Sequence, residues 1–469
     1  MLPTMIEKIF KAYDIRAVYR DPLDEQMAWK VGYAVGTYLK PKKRDDAGTI
    51  LVSRDMRPSS PSLCEALANG IRAAGPDVID LGMADTSMMY FAINHLDAIG
   101  GVQTTASHNP IHYNGFKISG ERARPIGSAT GLREIQDIAA GLDATDMPPV
   151  GRYEQRDIWD AYRKHILSFL APLPRPVRLV VDASNGMAGE LVPRVFQGVE
   201  NLEIIPLNFE ITGSFVHEPN PLVPENMVPT QEAVREHHAD LGACFDGDAD
   251  RCMIVDEQGV TVGCDHLTAL LAGHFVEIDQ TNPATHGQPT IVFDLRSSKV
   301  VSETIEALGA RPMRCRVGHV FMKAALHDAK AVFGGELSGH FYFRDNYFAD
   351  SGAIALASIL SVLGQQDRTL GQLIAPLRKY PQSGEINFEV QDKAAVMQAL
   401  KDRYGSRAQV DELDGVTIDA FESEGWWFNV RPSNTEPLLR LNAEARDQAS
   451  LDALMNELTP QLGAPAAGH

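Results

Sequence analysis

Two rhythms of apolar and polar positions alternate along the chain. Short apolar runs rich in β-branched residues are followed by stretches in which apolar residues recur every three or four positions. Residues 49–53 form the first such run, and residues 61–74 read as a helix with Leu63, Leu67 and Ile71 on one face. Residues 77–81 and 98–102 read as further strands, an order that predicts βαβ units. Residues 143–151, with Pro148 and Pro149, read as a linker, after which the pattern restarts. It predicts a helix over 158–170, a turn at Pro172, Pro174 and Pro176, and strands over 177–182 and 240–245. A second linker is expected at 281–288, with the helix at 267–276 belonging to the segment that continues in a strand at 290–294. From about Gly371 the composition changes to a strand at 385–390, a helix at 394–403 and a strand at 415–420, a smaller α+β unit. Four segments are therefore expected: three α/β segments over 1–148, 149–256 and 257–370, and an α+β segment over 371–469.

Length supports this division, since 469 residues at ~100–200 per domain suggest three or four domains. Acidic residues outnumber basic ones by 62 to 43, and a formal charge of −19 argues against nucleic acid as a partner. Cys64, Cys244, Cys252, Cys264 and Cys315 lie far apart and form no CxxC pair, which fits neither a disulfide framework nor a structural zinc site. The first ten residues lack the basic flank and apolar run of a signal peptide. The most apolar stretch, residues 353–363, falls short of the ~20 residues that span a bilayer. A reducing, cytoplasmic setting without membrane partners is expected.

Chemistry concentrates in four places. Asp246-Gly247-Asp248-Ala249-Asp250-Arg251 sets three carboxylates at alternate positions after a buried strand, where their repulsion favours a bound cation or shifted pKa values, or is an acidic, solvated turn. All-oxygen ligation suits Mg²⁺. An EF-hand is excluded because Arg251 stands where that loop needs glycine. Thr104-Thr105-Ala106-Ser107-His108-Asn109-Pro110 follows a strand and is expected to present its serine on an exposed loop, with no Gly-x-Ser-x-Gly elbow around it. Gly334-Gly335-Glu336-Leu337-Ser338-Gly339-His340 combines a carboxylate, a hydroxyl and an imidazole suited to sugar hydroxyls, or is a glycine-rich bend between strands. Arg431-Pro432-Ser433-Asn434-Thr435-Glu436-Pro437 offers a cradle for a phosphate dianion, or is a capping turn before a strand at 438–441. Asn114-Gly115-Phe116-Lys117, and Val317-Gly318-His319 with Lys323, add further basic candidates. No Gly-Lys dipeptide occurs, so a Walker A loop is excluded.

Together with Phe10-Lys11-Ala12-Tyr13-Asp14-Ile15-Arg16, these motifs resemble the α-D-phosphohexomutase family in the family's own order, most closely its bacterial phosphomannomutase branch. The resemblance implies an α/β fold of three similar domains with mixed sheets and a C-terminal α+β domain, arranged around a central active-site cleft. It places the phosphoserine loop in 1–148, the metal loop in 149–256, the sugar-recognition loop in 257–370 and the phosphate-binding loop in 371–469. By the same match Ser107 is the phosphoserine carrier, and one Mg²⁺ per chain is held by Ser107, Asp246, Asp248 and Asp250, with Arg251 beside the loop. Lys117 and His319 are the acid/base candidates, and Arg16 and His108 lie near the transferred phosphoryl group. Tyr13, Arg296, Glu336, Ser338 and His340 are implied to contact the substrate, and Arg431, Ser433, Asn434 and Thr435 to clamp the distal phosphate. Ala17, Ala249, Arg296 and Leu337 depart from the family's commonest residues. The implied reaction interconverts mannose 6-phosphate and mannose 1-phosphate through a hexose 1,6-bisphosphate, with glucose phosphates as further substrates, in a monomer or homodimer. The alternatives are a phosphoglucomutase, a phosphosugar phosphatase and a non-catalytic phosphosugar-binding protein.

Overall fold

The computed structural model describes residues 5–40, 48–143, 147–282, 287–433, 438–463 and 465–466. Parts of both expected linkers, 144–146 and 283–286, lie outside the described residues, as do Asn434 and Thr435. The chain forms two compact units. One comprises Met1–Gly263, Leu326–Phe333 and Ser338–Gly371; the other comprises Cys264–Ala325, Gly334–Leu337 and Gln372–His469. The segment 257–370 thus contributes to both.

In the first unit, Thr49–Arg54 lies between two parallel neighbours, Asp77–Met83 and Gly100–Thr104. Helix Ser60–Ala73 connects the first two and buries Leu63, Leu67 and Ile71 completely, as their spacing requires. The strand expected over 98–102 runs instead over Gly100–Thr104, which carries it to within three residues of Ser107. Tyr113–Gly120 returns antiparallel between Gly100–Thr104 and Ile15–Val18, so this six-stranded sheet is mixed. Helix Thr86–His95 has no helical rhythm in sequence because every residue from Thr86 to Ile93 is buried, leaving no polar stripe to mark a period.

In a second, five-stranded sheet of this unit Leu241–Phe245 is central, and Val177–Asp182 runs parallel between it and the edge strand Leu202–Leu207. Leu241–Phe245 and Cys252–Asp256 are both fully buried and pair antiparallel, with Phe245 opposite Cys252. The acidic hexapeptide is therefore the loop of a buried hairpin. The apolar stretch near 353–363 is a core helix, Gly352–Gly364. Among the described residues no helix is long and apolar enough to cross a membrane.

In the second unit, Thr290–Asp294 pairs parallel with Arg311–Cys315 beside helices Cys264–Thr281 and Lys299–Ala307. The C-terminal part is a five-stranded antiparallel sheet ordered Gln382–Glu389, Leu438–Ala445, Trp426–Pro432, Val416–Ala420, Gln409–Asp411. Helices Lys393–Tyr404 and Gln448–Leu462 cover it, burying Leu400, Tyr404, Leu451, Leu454 and Leu458 against Phe428 and Leu441.

Candidate active site

The first unit gathers most of the chemistry at strand ends. Ser107 lies just past Gly100–Thr104 with φ 49°, in the left-handed region, which turns its side chain away from the direction the strand would give it. It is not on an exposed loop, since only 2% of it is accessible. The loop is closed from beneath by Arg57, whose side chain is fully buried. Its Nη2 donates to the carbonyls of Ser107 (2.8 Å) and Asn109 (2.7 Å). Its Nη1 donates to those of Pro110 (2.6 Å) and Tyr113 (3.1 Å), and its Nε to Asp55 (3.0 Å). Four backbone acceptors of this partly buried loop thus share one buried cation, which pairs the Ser107 carbonyl where water does not reach it. Burial pulls the Arg57 pKa down while Asp55 and Asp248 oppose it. Gly247 packs on the same loop, where a Cβ would stand 2.4 Å from the Ser107 carbonyl oxygen.

The Ser107 hydroxyl faces the metal-type loop, donating to Asp246 Oδ2 at 2.9 Å with His108 Nδ1 3.3 Å away. Asp246, Asp248 and Asp250 are all buried, with ligand-type oxygens within 4.8 Å of one another. Asp248 Oδ2 accepts from Lys117 Nζ (2.7 Å) and Thr86 Oγ1 (2.6 Å), and Asp250 Oδ2 accepts from Lys117 Nζ (2.6 Å). The other oxygens of both, Asp248 Oδ1 and Asp250 Oδ1, are buried with no hydrogen-bond partner among the described residues. Burial first, and then Asp250 and Asp248, push the Asp246 carboxyl up to about 8. Burial also opposes ionisation of Asp248, but the Lys117 ammonium outweighs it and holds that carboxyl below its usual range. Asp248 Oδ1 and Asp250 Oδ1 thus keep lone pairs that no hydrogen-bond donor among the described residues fills, although His340 Nδ1 (3.7 Å) and Arg251 Nε (4.0 Å) lie within ion-pair range of Asp250 Oδ1. The residues therefore fit a small, hard divalent cation such as Mg²⁺.

Basic groups ring the cluster. Lys117 sits on strand Tyr113–Gly120, not in a loop, and its pKa is raised because Asp248, Asp250 and Asp246 outweigh desolvation. Arg16, on Ile15–Val18, bonds Asn109 of the serine loop and Asp14. Tyr13 precedes that strand and is half-buried. Arg251 donates its backbone N–H to Asp246 Oδ1 (3.2 Å) and its Nε to His340 Nε2 (3.1 Å). His340 Nδ1 lies 2.8 Å from Asp350 Oδ2; Asp250 and Asp350 raise its pKa against desolvation. Desolvation, then Arg251 and Arg16, lower the pKa of His108. Ser338 is half-buried in the same unit.

The remaining candidates lie in the second unit. Glu336 is buried and accepts from the Gly318 N–H at 2.9 Å, immediately before His319 opens helix His319–Ala329. Glu336 directly follows strand Phe333–Gly335. Arg431, at the end of Trp426–Pro432, donates to Glu385 Oε2 at 2.7 Å. Arg296 donates to the same oxygen at 3.0 Å and to Asp294 at 2.6 Å, and Arg440 donates to Glu385 Oε1 at 3.0 Å. Against desolvation, the three guanidiniums lower the Glu385 pKa to about 2. Ser433 is buried, its N–H donating to the Leu438 carbonyl at 2.9 Å. The sequence reading contained Arg296, Arg431 and Ser433 but not Glu385 and Arg440. It also missed Arg57, Thr86 and Asp350, because none lies in a recognisable motif and each acquires its partners only from remote parts of the chain.

Comparison with known proteins matches the family "Phosphoglucomutase/phosphomannomutase" throughout: alpha/beta/alpha domain I over residues 7–146, domain II over 160–259, domain III over 264–380, and the C-terminal domain over 385–461. A protein of Xanthomonas campestris pv. campestris named "Phosphohexose mutases" is 41% identical over 446 residues, spanning 94% of this chain and 96% of its own. The chain belongs to this family. A phosphomannomutase of Escherichia coli K12 is 39% identical over 455 residues, covering 94% of this chain and 96% of its own. The crystal structure of a phosphoglucomutase/phosphomannomutase family protein from Burkholderia thailandensis superposes with a TM-score of 0.87 at 31% identity, covering 98% of both chains. As a phosphohexomutase the enzyme is an isomerase built from three α/β/α domains and a C-terminal domain.

Proposed function

We propose that this phosphohexomutase interconverts mannose 6-phosphate and mannose 1-phosphate, with Ser107 as the phosphoryl carrier and a hexose 1,6-bisphosphate as intermediate. Relatives that carry the name phosphomannomutase at 39% identity support the choice of sugar. The observation that carries the proposal is the Ser107 hydroxyl, 2.9 Å from Asp246 within a buried three-carboxylate cluster. Asp246, Asp248, Asp250 and the Ser107 oxygen would hold one Mg²⁺, which when bound supplies charge neutralisation for the oxygens of the moving phosphoryl group.

In the first half-reaction the bond from phosphorus to Ser107 Oγ breaks as one forms to the free sugar hydroxyl, whose proton leaves to a base. Lys117 is held as an ammonium between two carboxylates, which suits charge stabilisation and favours His319 as proton acceptor. In the second half-reaction Ser107 Oγ attacks the other phosphate of the bisphosphate: as the Oγ–P bond forms, the bond from that phosphorus to the sugar oxygen breaks, and the sugar oxygen leaves as a hydroxyl by taking up the proton that the base accepted in the first half-reaction. His108 Nδ1, 3.3 Å away and kept neutral by burial and by Arg251 and Arg16, takes the hydroxyl proton. Glu336, Ser338, His340 and Tyr13 serve the sugar hydroxyls. Arg296, Arg431, Ser433, Asn434 and Thr435 hold the phosphate that is not reacting.

The test incubates the protein and Mg²⁺ with mannose 1-phosphate and a trace of hexose 1,6-bisphosphate, then repeats it with glucose 1-phosphate. Mannose 6-phosphate as the faster product supports the proposal. Faster turnover of glucose 1-phosphate makes it mainly a phosphoglucomutase, and release of inorganic phosphate makes it a phosphatase.

A further inference from the structure

We propose that Thr86 is a positioning residue for the metal loop: its hydroxyl locks the Asp248 carboxylate so that Oδ1 faces the cation. This rests on the reading of the three aspartates as a divalent-cation site. Thr86 is fully buried at the first position of helix Thr86–His95, far in sequence from the loop it touches. It grips Asp248 twice, its N–H donating to the Asp248 carbonyl at 3.1 Å and its Oγ1 to Asp248 Oδ2 at 2.6 Å. The hydroxyl is not needed to cap the helix, because Asp85 does that by accepting from the Met88 N–H.

Hydrogen-bond accounting at the carboxylate gives the direction. Oδ2 takes donors from Thr86 and Lys117, which occupy both of its in-plane lone pairs. Oδ1 is buried with no partner among the described residues, so it alone is left for a metal. Lys117 also bonds Asp250, and one flexible ammonium shared between two carboxylates does not fix the rotation of either. The second, immobile donor on a helix terminus does, and groups that orient metal ligands in this way typically change affinity by about 10–100-fold when removed.

Thr86→Val keeps the shape and removes the donor, whereas Thr86→Ser keeps the donor. Titrating the purified full chain with Mn²⁺ and following the free-ion signal by electron paramagnetic resonance reads affinity without any turnover. The expected result is about 10–100-fold weaker Mn²⁺ binding in T86V, with T86S within a few-fold of wild type. T86V binding as tightly as wild type overturns the role of Thr86 alone. Wild-type protein that binds no Mn²⁺ overturns the cation reading beneath it. If circular dichroism shows T86V to be unfolded, Thr86→Ala takes its place against T86S: weaker binding in the alanine variant supports the proposal, and equal binding overturns it.

Discussion

Asp85→Asn should make the protein more stable at pH 8 than at pH 5 relative to wild type. Asp85 is completely buried, its Oδ2 accepting from the Met88 N–H (3.1 Å) and the Tyr162 hydroxyl (2.8 Å), while Oδ1 has no hydrogen-bond partner among the described residues. Desolvation dominates, the two hydrogen bonds offset it only partly, and Asp248 adds repulsion, so the pKa is pushed up to about 7. An unfolded aspartate releases its proton near 3.9. Between about pH 4 and pH 7 the native state therefore holds a proton that the unfolded state has lost, and stability falls as pH rises, by about 1.4 kcal/mol per unit. Over the whole window this comes to roughly 4 kcal/mol, levelling off above pH 7. Asparagine is neutral throughout and caps helices well. Its amide places an unpaired N–H₂ where Oδ1 stood, a cost of about 1–3 kcal/mol that does not vary with pH. The pH dependence of the difference is thus the diagnostic quantity. Thermal midpoints of wild type and D85N, taken at one scan rate from pH 5 to pH 8, should diverge in favour of D85N by about 3–5 °C up to pH 7 and then run parallel. A gap that stays flat across this range, or narrows, refutes the argument.

Ser107→Ala should lower mutase turnover by at least about a thousandfold while mannose 1-phosphate still binds in a calorimetric titration; near-normal turnover would remove the carrier assignment. Arg57→Lys offers three donors where five bonds are made, so at least two of them are lost, at about 1 kcal/mol each. Its midpoint should drop by several degrees and kcat should fall with it, and an unchanged midpoint would contradict the loop-closing role. Glu385→Gln should destabilise the protein by up to about 3 kcal/mol at pH 7, because a carboxyl lowered to about 2 stabilises the fold above the ordinary carboxylate range and loses that effect as pH falls towards 2. Equal urea midpoints for wild type and E385Q at pH 7 would show that the three arginines do not depend on it.

What the amino-acid order determined by itself is whatever depends on neighbours in sequence. Leu63, Leu67 and Ile71 declare a buried helix face through spacing alone, and residues 177–182 and 290–294 declare strands through short runs rich in β-branched and other apolar residues. Three aspartates at alternate positions declare a candidate cation site because their mutual repulsion is local. Helix Thr86–His95 was hidden because burial on all sides erases the period that betrays a helix. Only the tertiary structure could show that Ser107 is buried, since its burial depends on Arg57, fifty residues earlier, collecting the loop's carbonyls. Likewise only the fold brings Thr86 to Asp248, Asp350 to His340, and Arg440 to Glu385. Hydrogen bonds and ion pairs between distant segments leave no periodic mark on either partner, because each is specified by where two backbones end up and not by the residues beside it in the chain.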